Sequence, residues 1–334
     1  MKWVWLCVVF FLAFNAWAQT PGAIPIPDDA NVRVLAQLAN PSDGRVDYAK
    51  VQTVIERAVN PAFNAGAFNA ELNHWANVVW ARVPKDATPT QVMTALGEVI
   101  YVSGPWNNHH PFAYDLADPL GTKPQTKLIS TYLRTREGNC VSMPTLLVIL
   151  GQKLGLDMTL SQAPQHEFAR LRDTTGRWIN IEATNPGSLP DDIYIHQLHI
   201  STVAIRSGIY LRTTTPSETV VVMLSPLESV YAHARPPAYL LGLAMLARQL
   251  DPKNADALVF EADAYFLELG HRYLVRHLTP EILPPSQRAD FDALFNGNVQ
   301  LMNQVEAMGW HPPTEAEDKE YLKRIQHYKD EHGE

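Results

Sequence analysis

The sequence predicts an α+β protein in which helical segments at both ends flank a central unit of one apolar helix and an antiparallel pair of strands. Three observations lead there. Apolar residues recur at helical spacing in 47–58, 67–82 and 88–102. A nearly unbroken apolar run over 141–154 is followed by two short alternating runs, 166–172 and 178–183, with turn chemistry between them. From residue 236 onward the spacing is helical again.

The first residues read as an address rather than as structure. Lys2 supplies a positive charge, residues 3–14 are almost all apolar, and Ala16-Trp17-Ala18 forms a small-x-small cleavage pattern. A signal peptide over 1–18 is expected, with the mature chain starting at Gln19 in the periplasm or outside the cell. The apolar run is short for a bilayer span, so no integral membrane segment is expected after cleavage. Cleavage removes Cys7 and leaves Cys140 as the one remaining thiol, so no intramolecular disulfide can form in an oxidising compartment. The 334-residue chain is 46% hydrophobic and 19% charged, a globular balance. Its formal net charge of -8, with no Lys/Arg-rich stretch, argues against nucleic acid as a partner.

Residues 19–29 carry Pro21, Pro25 and Pro27 and read as an extended lead-in. In 47–58, Tyr48, Val51, Val54, Ile55 and Ala58 share a helical face, and Asn60-Pro61 ends the segment. Residues 67–82 form a second helix and 88–102 a third, opened by Thr88-Pro89-Thr90. Together these make a helical N-terminal subdomain over 19–103. Residues 103–124 are rich in Gly, Pro and Asn and read as loop. A short helix over 126–136 is broken at Gly138-Asn139-Cys140, and the apolar helix 141–154 then runs to Gly155. A strand over 157–163 precedes the hairpin, and segments 203–212 and 219–224 are read as further β-structure. This central unit spans 104–233. The region 234–330 is helical. Leu250-Asp251-Pro252-Lys253-Asn254-Ala255 marks a helix boundary, with small residues such as Ala262 and Gly270 following, as in tetratricopeptide repeats; an ordinary helical hairpin is the alternative. Helices over 289–308 and 315–329 complete the chain.

Cys140 stands where a loop ends and the apolar helix begins, with Asn139 as candidate N-cap and Pro144 close to the first turn. A thiol there faces unpaired N–H groups and the positive end of the helix dipole, which favour the nucleophilic thiolate. The same N–H groups can receive an oxyanion. His166 and Glu182 are symmetric about residue 174, inside the turn 173–176. They therefore share a sheet face, directly opposed or, after a slip of two, diagonal. A carboxylate beside an imidazole orients the ring and stabilises its protonated form. Singly, each residue has an ordinary structural reading, a core thiol or a surface ion pair. Their order, a Cys, then a His on one strand, then a carboxylate on the next, points to an activated nucleophile.

Four segments, Arg136-Glu137-Gly138-Asn139-Cys140-Val141-Ser142, Leu154-Gly155-Leu156, Pro164-Gln165-His166 and Gly176-Arg177-Trp178-Ile179-Asn180-Ile181-Glu182-Ala183-Thr184, together resemble the transglutaminase-like superfamily, best over 112–187. The resemblance implies a papain-like core, with a nucleophile helix packed on an antiparallel sheet. It implies Cys140 as nucleophile, His166 as general base and acid, and Glu182 as the orienting group, with no cofactor and no metal. The implied activity is cysteine-dependent acyl transfer or amide hydrolysis on a peptide or protein of the cell envelope. More loosely, the helical ends resemble a bacterial exported branch with tetratricopeptide-like C-terminal helices, a surface for a protein partner. Some members have lost the triad and act as scaffolds, which is the alternative function. Two departures stand out. Glu182 replaces the usual Asp, and its longer arm asks for wider strand spacing. Glu167-Phe168 follow His166 where an aromatic residue commonly comes directly.

Other polar groups are candidates as well. Asn107 or Asn108, in the loop Trp106-Asn107-Asn108-His109-His110, is a candidate oxyanion-hole side chain. His109-His110 is a weak metal pair, and His196 and His199, three apart after Tyr194, are candidates to line a site or to ligate a metal. Cys140, His166 and Glu182 are themselves a permissible zinc set, against which the helix-tip position and the missing second cysteine favour catalysis.

Overall fold

Side-chain caps set where the N-terminal helices begin. The computed structural model describes residues 22–119, 121–184 and 186–332; the expected signal peptide lies outside them. Asp29, Asp47, Asn64 and Thr88 each accept a first-turn N–H. They open α1 (Ala30–Ala39), α2 (Tyr48–Val59), α3 (Ala65–Trp80) and α4 (Pro89–Tyr101). Thr88 and Gln91 form a reciprocal capping box with Pro89 inside the helix start. The helix α1 directly follows the Pro-rich lead-in and was not read from the sequence.

The loop that follows contains one short strand, β1 (Ala113–Tyr114), which pairs in parallel with β2 (Glu137–Gly138). Between them lies α5 (Ile129–Thr135), and after them α6 (Ser142–Lys153). Every residue from Ser142 to Gly151 is buried, which is why α6 is apolar on all sides rather than on one stripe. Pro144 is its third residue, where the missing N–H has no intrahelical partner to lose.

Strands β3 (Met158–Ala163), β4 (His166–Arg172) and β5 (Trp178–Ile181) form an antiparallel sheet in the order β3-β4-β5. Ala163 pairs with His166 across the two-residue turn Pro164-Gln165, in which Gln165 takes φ 55. Proline ahead of a left-handed residue is the pattern of a type II turn. On the other side, Arg172 pairs with Trp178 and Asp173 N–H donates to Arg177 O at 2.8 Å, with Gly176 at φ 84. This is the expected hairpin, in the register slipped by two. One sheet face, with Leu160, Ala169 and Leu171, packs on α6. The other carries His166, Phe168 and Arg170.

The expected β-structure is absent: 203–212 is the end of a short helix followed by turns, and 219–224 is helical. The chain there forms α7 (Asp191–Gln197), α8 (Thr202–Ser207), α9 (Pro216–Met223) and α10 (Ser225–Ala234). Caps override β-propensity here. Ser201 accepts from Ala204 N–H and Gly208 ends α8 at φ 72, while Thr215 and Glu218 box the start of α9 with Pro216 behind the cap. The run Thr219-Val220-Val221-Val222 is then buried as one helical turn.

The C-terminal region is α11 (Pro237–Leu250), α12 (Ala255–Arg272), α13 (Pro285–Ala307) and α14 (Glu315–His332). Asn254 caps α12, as the Pro-Asn boundary suggested. One apolar cluster runs from Ile24 through α6 and the sheet to Leu294, and a second gathers around Phe168, Tyr194, Leu258 and Val305. Each large aliphatic side chain buried in such a cluster contributes about 1.5–3 kcal/mol of transfer free energy. Among the described residues, no helix is long and apolar enough to cross a membrane.

Candidate active site

Asn139 builds the tip of α6. Its side chain is fully buried, and Oδ1 accepts from Val141 N–H at 3.1 Å and Ser142 N–H at 3.2 Å. In return, Ser142 Oγ accepts the Asn139 N–H at 3.0 Å, and Met143 N–H bonds Asn139 O. The expected cap is therefore present, but it consumes the N–H groups that the sequence had offered to an oxyanion. Among the described residues only the Cys140 N–H at this corner has no acceptor. That leaves one backbone donor beside the sulfur.

Gly138 sits below. A Cβ there would lie 2.6 Å from the Tyr132 ring and 2.9 Å from Met143. Its pairing with Tyr114 places the Tyr114 ring on the wall next to Cys140. Tyr114 Oη donates to Pro119 O at 2.6 Å and meets Tyr321 Oη of α14 at 2.5 Å.

The half-buried Cys140 Sγ donates to the Gln165 carbonyl at 3.8 Å. The left-handed turn at Gln165 thus brings the start of β4 to the tip of α6, and His166 is the next residue. His166 Nε2 meets Glu182 Oε2 at 2.7 Å. Cys140 is close enough to the ring to act on its charge together with Glu182. The three residues singled out from the sequence come together around one imidazole.

Glu182 is held from every side. Thr184 N–H and Oγ1 donate to Oε1 at 2.9 and 2.6 Å, and Tyr194 Oη donates to Oε2 at 2.8 Å. Burial alone would raise the Glu182 carboxyl; the His166 charge, its hydrogen bond and the Thr184 donors outweigh that and hold it at about 2. Burial pulls His166 the other way, yet Glu182 and Cys140 push it up to about 10. The ring is thus kept as imidazolium.

Tyr194 was missed by the sequence reading, and nothing near it in the chain announces it. The sheet recruits it. Arg170, on the His166 face, donates to Asp191 Oδ1 at 2.7 Å and to Leu211 O at 2.8 Å, and Asn180 Nδ2 bonds the same Asp191 oxygen. This clamp fixes the start of α7. Phe168 stacks on Tyr194 with centroids 4.5 Å apart and lies parallel to His166 at 6.4 Å. Phe168 thus lies on the His166 face, whereas Glu167, directly after His166, points to the other side of the sheet.

Cys140, His166 and Glu182 open on a cavity of about 780 Å³ whose wall includes Tyr114, Tyr194 and Tyr321. Asn107 and Asn108 do not line it. Asn107 is a loop staple instead, with Nδ2 donating to Val99 O and Val102 O and Oδ1 accepting Gly104 N–H. His199 lies on the cavity wall, 3.9 Å from Glu320; His109, His110 and His196 lie elsewhere. Among the described residues, no group of three or more His, Cys, Asp or Glu side chains is arranged to hold a metal ion.

Residues 66–224 match the family model of the transglutaminase-like superfamily. The match runs from α3 to the end of α9 and takes in Cys140, His166 and Glu182. Searches of the curated proteins and of the solved structures return no match.

Proposed function

We propose that this protein carries out cysteine-dependent acyl transfer or amide hydrolysis of the transglutaminase-like kind on a peptide or protein substrate. Cys140 is the nucleophile, His166 the general base and acid, and Glu182 the orienting carboxylate. The observation that carries the reading is the His166 ring itself. Its Nε2 is bound to Glu182 at 2.7 Å, and the ring and the thiol line the same open cavity.

With its proton already resting on the His166 imidazolium, the Cys140 sulfur attacks the amide carbon as the thiolate. The oxyanion of the tetrahedral intermediate takes the Cys140 N–H. Collapse breaks the C–N bond, His166 returns the proton to the leaving amine, and a thioester remains on Cys140. Water or a second amine then loses its proton to His166 as it attacks the thioester carbonyl, and the sulfur leaves. The leader-like residues 1–18 support an envelope or secreted location, where a single thiol has no disulfide partner within the chain. The papain-like arrangement of helix and sheet belongs to the same reading.

The test is alkylation by iodoacetamide at mildly acidic pH, with and without His166→Ala, followed by activity profiling on envelope peptides with wild type and Cys140→Ala. Rapid labelling of Cys140 that slows in His166→Ala supports the reading. A thiol that labels only on unfolding sinks it in favour of a scaffold whose C-terminal helices bind a protein partner.

A further inference from the structure

The cavity holds acids that the proposed chemistry does not use. Glu167 follows His166 in β4 and, by strand alternation, points to the opposite face. It is 7% exposed, lines the cavity, and its Oε2 is buried with no hydrogen-bond partner. Glu228 of α10 is 3% exposed, lines the same cavity, and makes no side-chain hydrogen bond or ion pair among the described residues. Asp256, on the first turn of α12, lines it too, and its Oδ2 accepts from Gln162 Nε2 at 2.8 Å. Lys127 also lines the cavity, and its charge acts on all three carboxyls.

Leaving a carboxyl oxygen buried and unpaired is costly unless something else satisfies it. Burial first, and then the mutual repulsion with Asp256 and Glu228, push Glu167 up to about 8; Lys127 and His166 oppose this only in part. Burial and Asp256 likewise raise Glu228. An incoming positive charge relieves both penalties at once. These carboxyls are not grouped to hold a metal ion, so the fitting ligand is an organic cation whose N–H donors are spread in space. Tyr210 and Phe260 also line the cavity, and Phe260 lies one turn beyond Asp256 on α12, which offers apolar surface for an alkyl stem.

We propose that Glu167, Glu228 and Asp256 form a recognition pocket for a cationic group, a primary ammonium or a guanidinium, carried by the amide substrate that reaches Cys140. This rests on the function proposed above and adds the substrate class. An ammonium held there keeps its lone pair protonated and cannot attack a thioester. The pocket therefore recognises the substrate and does not supply the acceptor.

The test needs no known substrate. N-acetylcadaverine, which ends in an ammonium, and N-pentylacetamide, its neutral counterpart, are titrated calorimetrically into the full chain, its Glu167→Gln and Glu228→Gln variants, and Cys140→Ala. Iodoacetamide labelling of Cys140 is followed in the presence of each. Expected are binding of the ammonium compound alone, an affinity about tenfold weaker in each Gln variant, as for one charge-assisted hydrogen bond lost, and slower labelling in its presence. Equal binding of both compounds, or of neither, by the wild-type chain overturns the pocket, and this arm holds even if a variant fails to fold. If the ammonium compound binds but Cys140 never labels in the folded protein, the pocket stands and the proposed chemistry falls.

Discussion

Glu182 meets the His166 ring at 2.7 Å from a position diagonal to it, since β4 and β5 pair Ala169 with Ile181 and so set residue 182 opposite Phe168. Diagonal neighbours on a sheet face are about 7–8 Å apart, against about 4.5–5.5 Å for direct pairs. The additional methylene of Glu adds about 1.5 Å of reach toward the ring, which suits this diagonal register.

Shortening the arm breaks this relationship. Glu182→Asp is expected to slow alkylation of Cys140 near pH 6 by at least about tenfold, and Glu182→Gln, which keeps the reach and loses the charge, by up to about a hundredfold. Second-order rate constants with iodoacetamide decide it; an unchanged rate in Glu182→Asp would mean that the diagonal geometry is not what holds the ring.

The cap at Asn139 makes a separate prediction. Asn139→Ala removes the acceptor for two first-turn N–H groups and is expected to lower stability by about 1–2 kcal/mol. Asn139→Asp keeps that acceptor and loses the 3.3 Å Nδ2 contact to Thr126 Oγ1, so its loss is smaller. Denaturant unfolding of the three proteins ranks them.

Gly138 is required by space, since its Cβ would meet the Tyr132 ring. Gly138→Ala is expected to cost about 1–3 kcal/mol through overpacking and to move Cys140, two residues on. Pairing it with Tyr132→Leu should recover part of the loss in a thermal melt; a full penalty in the double variant would point to a different cause.

The His166–Glu182 pair sets a pH window. Glu182 at about 2, below its ordinary 4.5, contributes stability present above pH 4.5 and lost as pH falls through 2. His166 at about 10, above its ordinary 6.5, contributes stability complete below pH 6.5 and lost as pH rises through 10. The melting-temperature gap between wild type and His166→Ala should therefore be widest between about pH 4.5 and 6.5. A gap that does not vary with pH would contradict the charge pairing.

Much of the site was legible in the chain. Asn139 before an apolar run announced a helix tip, Pro144 fitted the first turn, and the turn at 173–176 tied His166 to Glu182. What escaped reading has a common cause. The run 219–222 has strand-like residues, but Thr215, Pro216 and Glu218 start a helix, and burial completes it. Asn107 sits in a loop upstream of the thiol, yet its amide is spent on Val99, Val102 and Gly104. Tyr194 reaches Glu182 only because Arg170 and Asn180 clamp Asp191.

Periodicity, caps and turns act over a few residues, so the linear order of Cys140, His166 and Glu182 and the elements that carry them could be read before any coordinates. The diagonal register, the Tyr194 donor and the cavity acids Glu167, Glu228 and Asp256 were decided by packing between segments far apart in the chain. Hydrogen bonds and charges depend on distance in space, and that distance exists only once α6, the sheet and the C-terminal helices share one core.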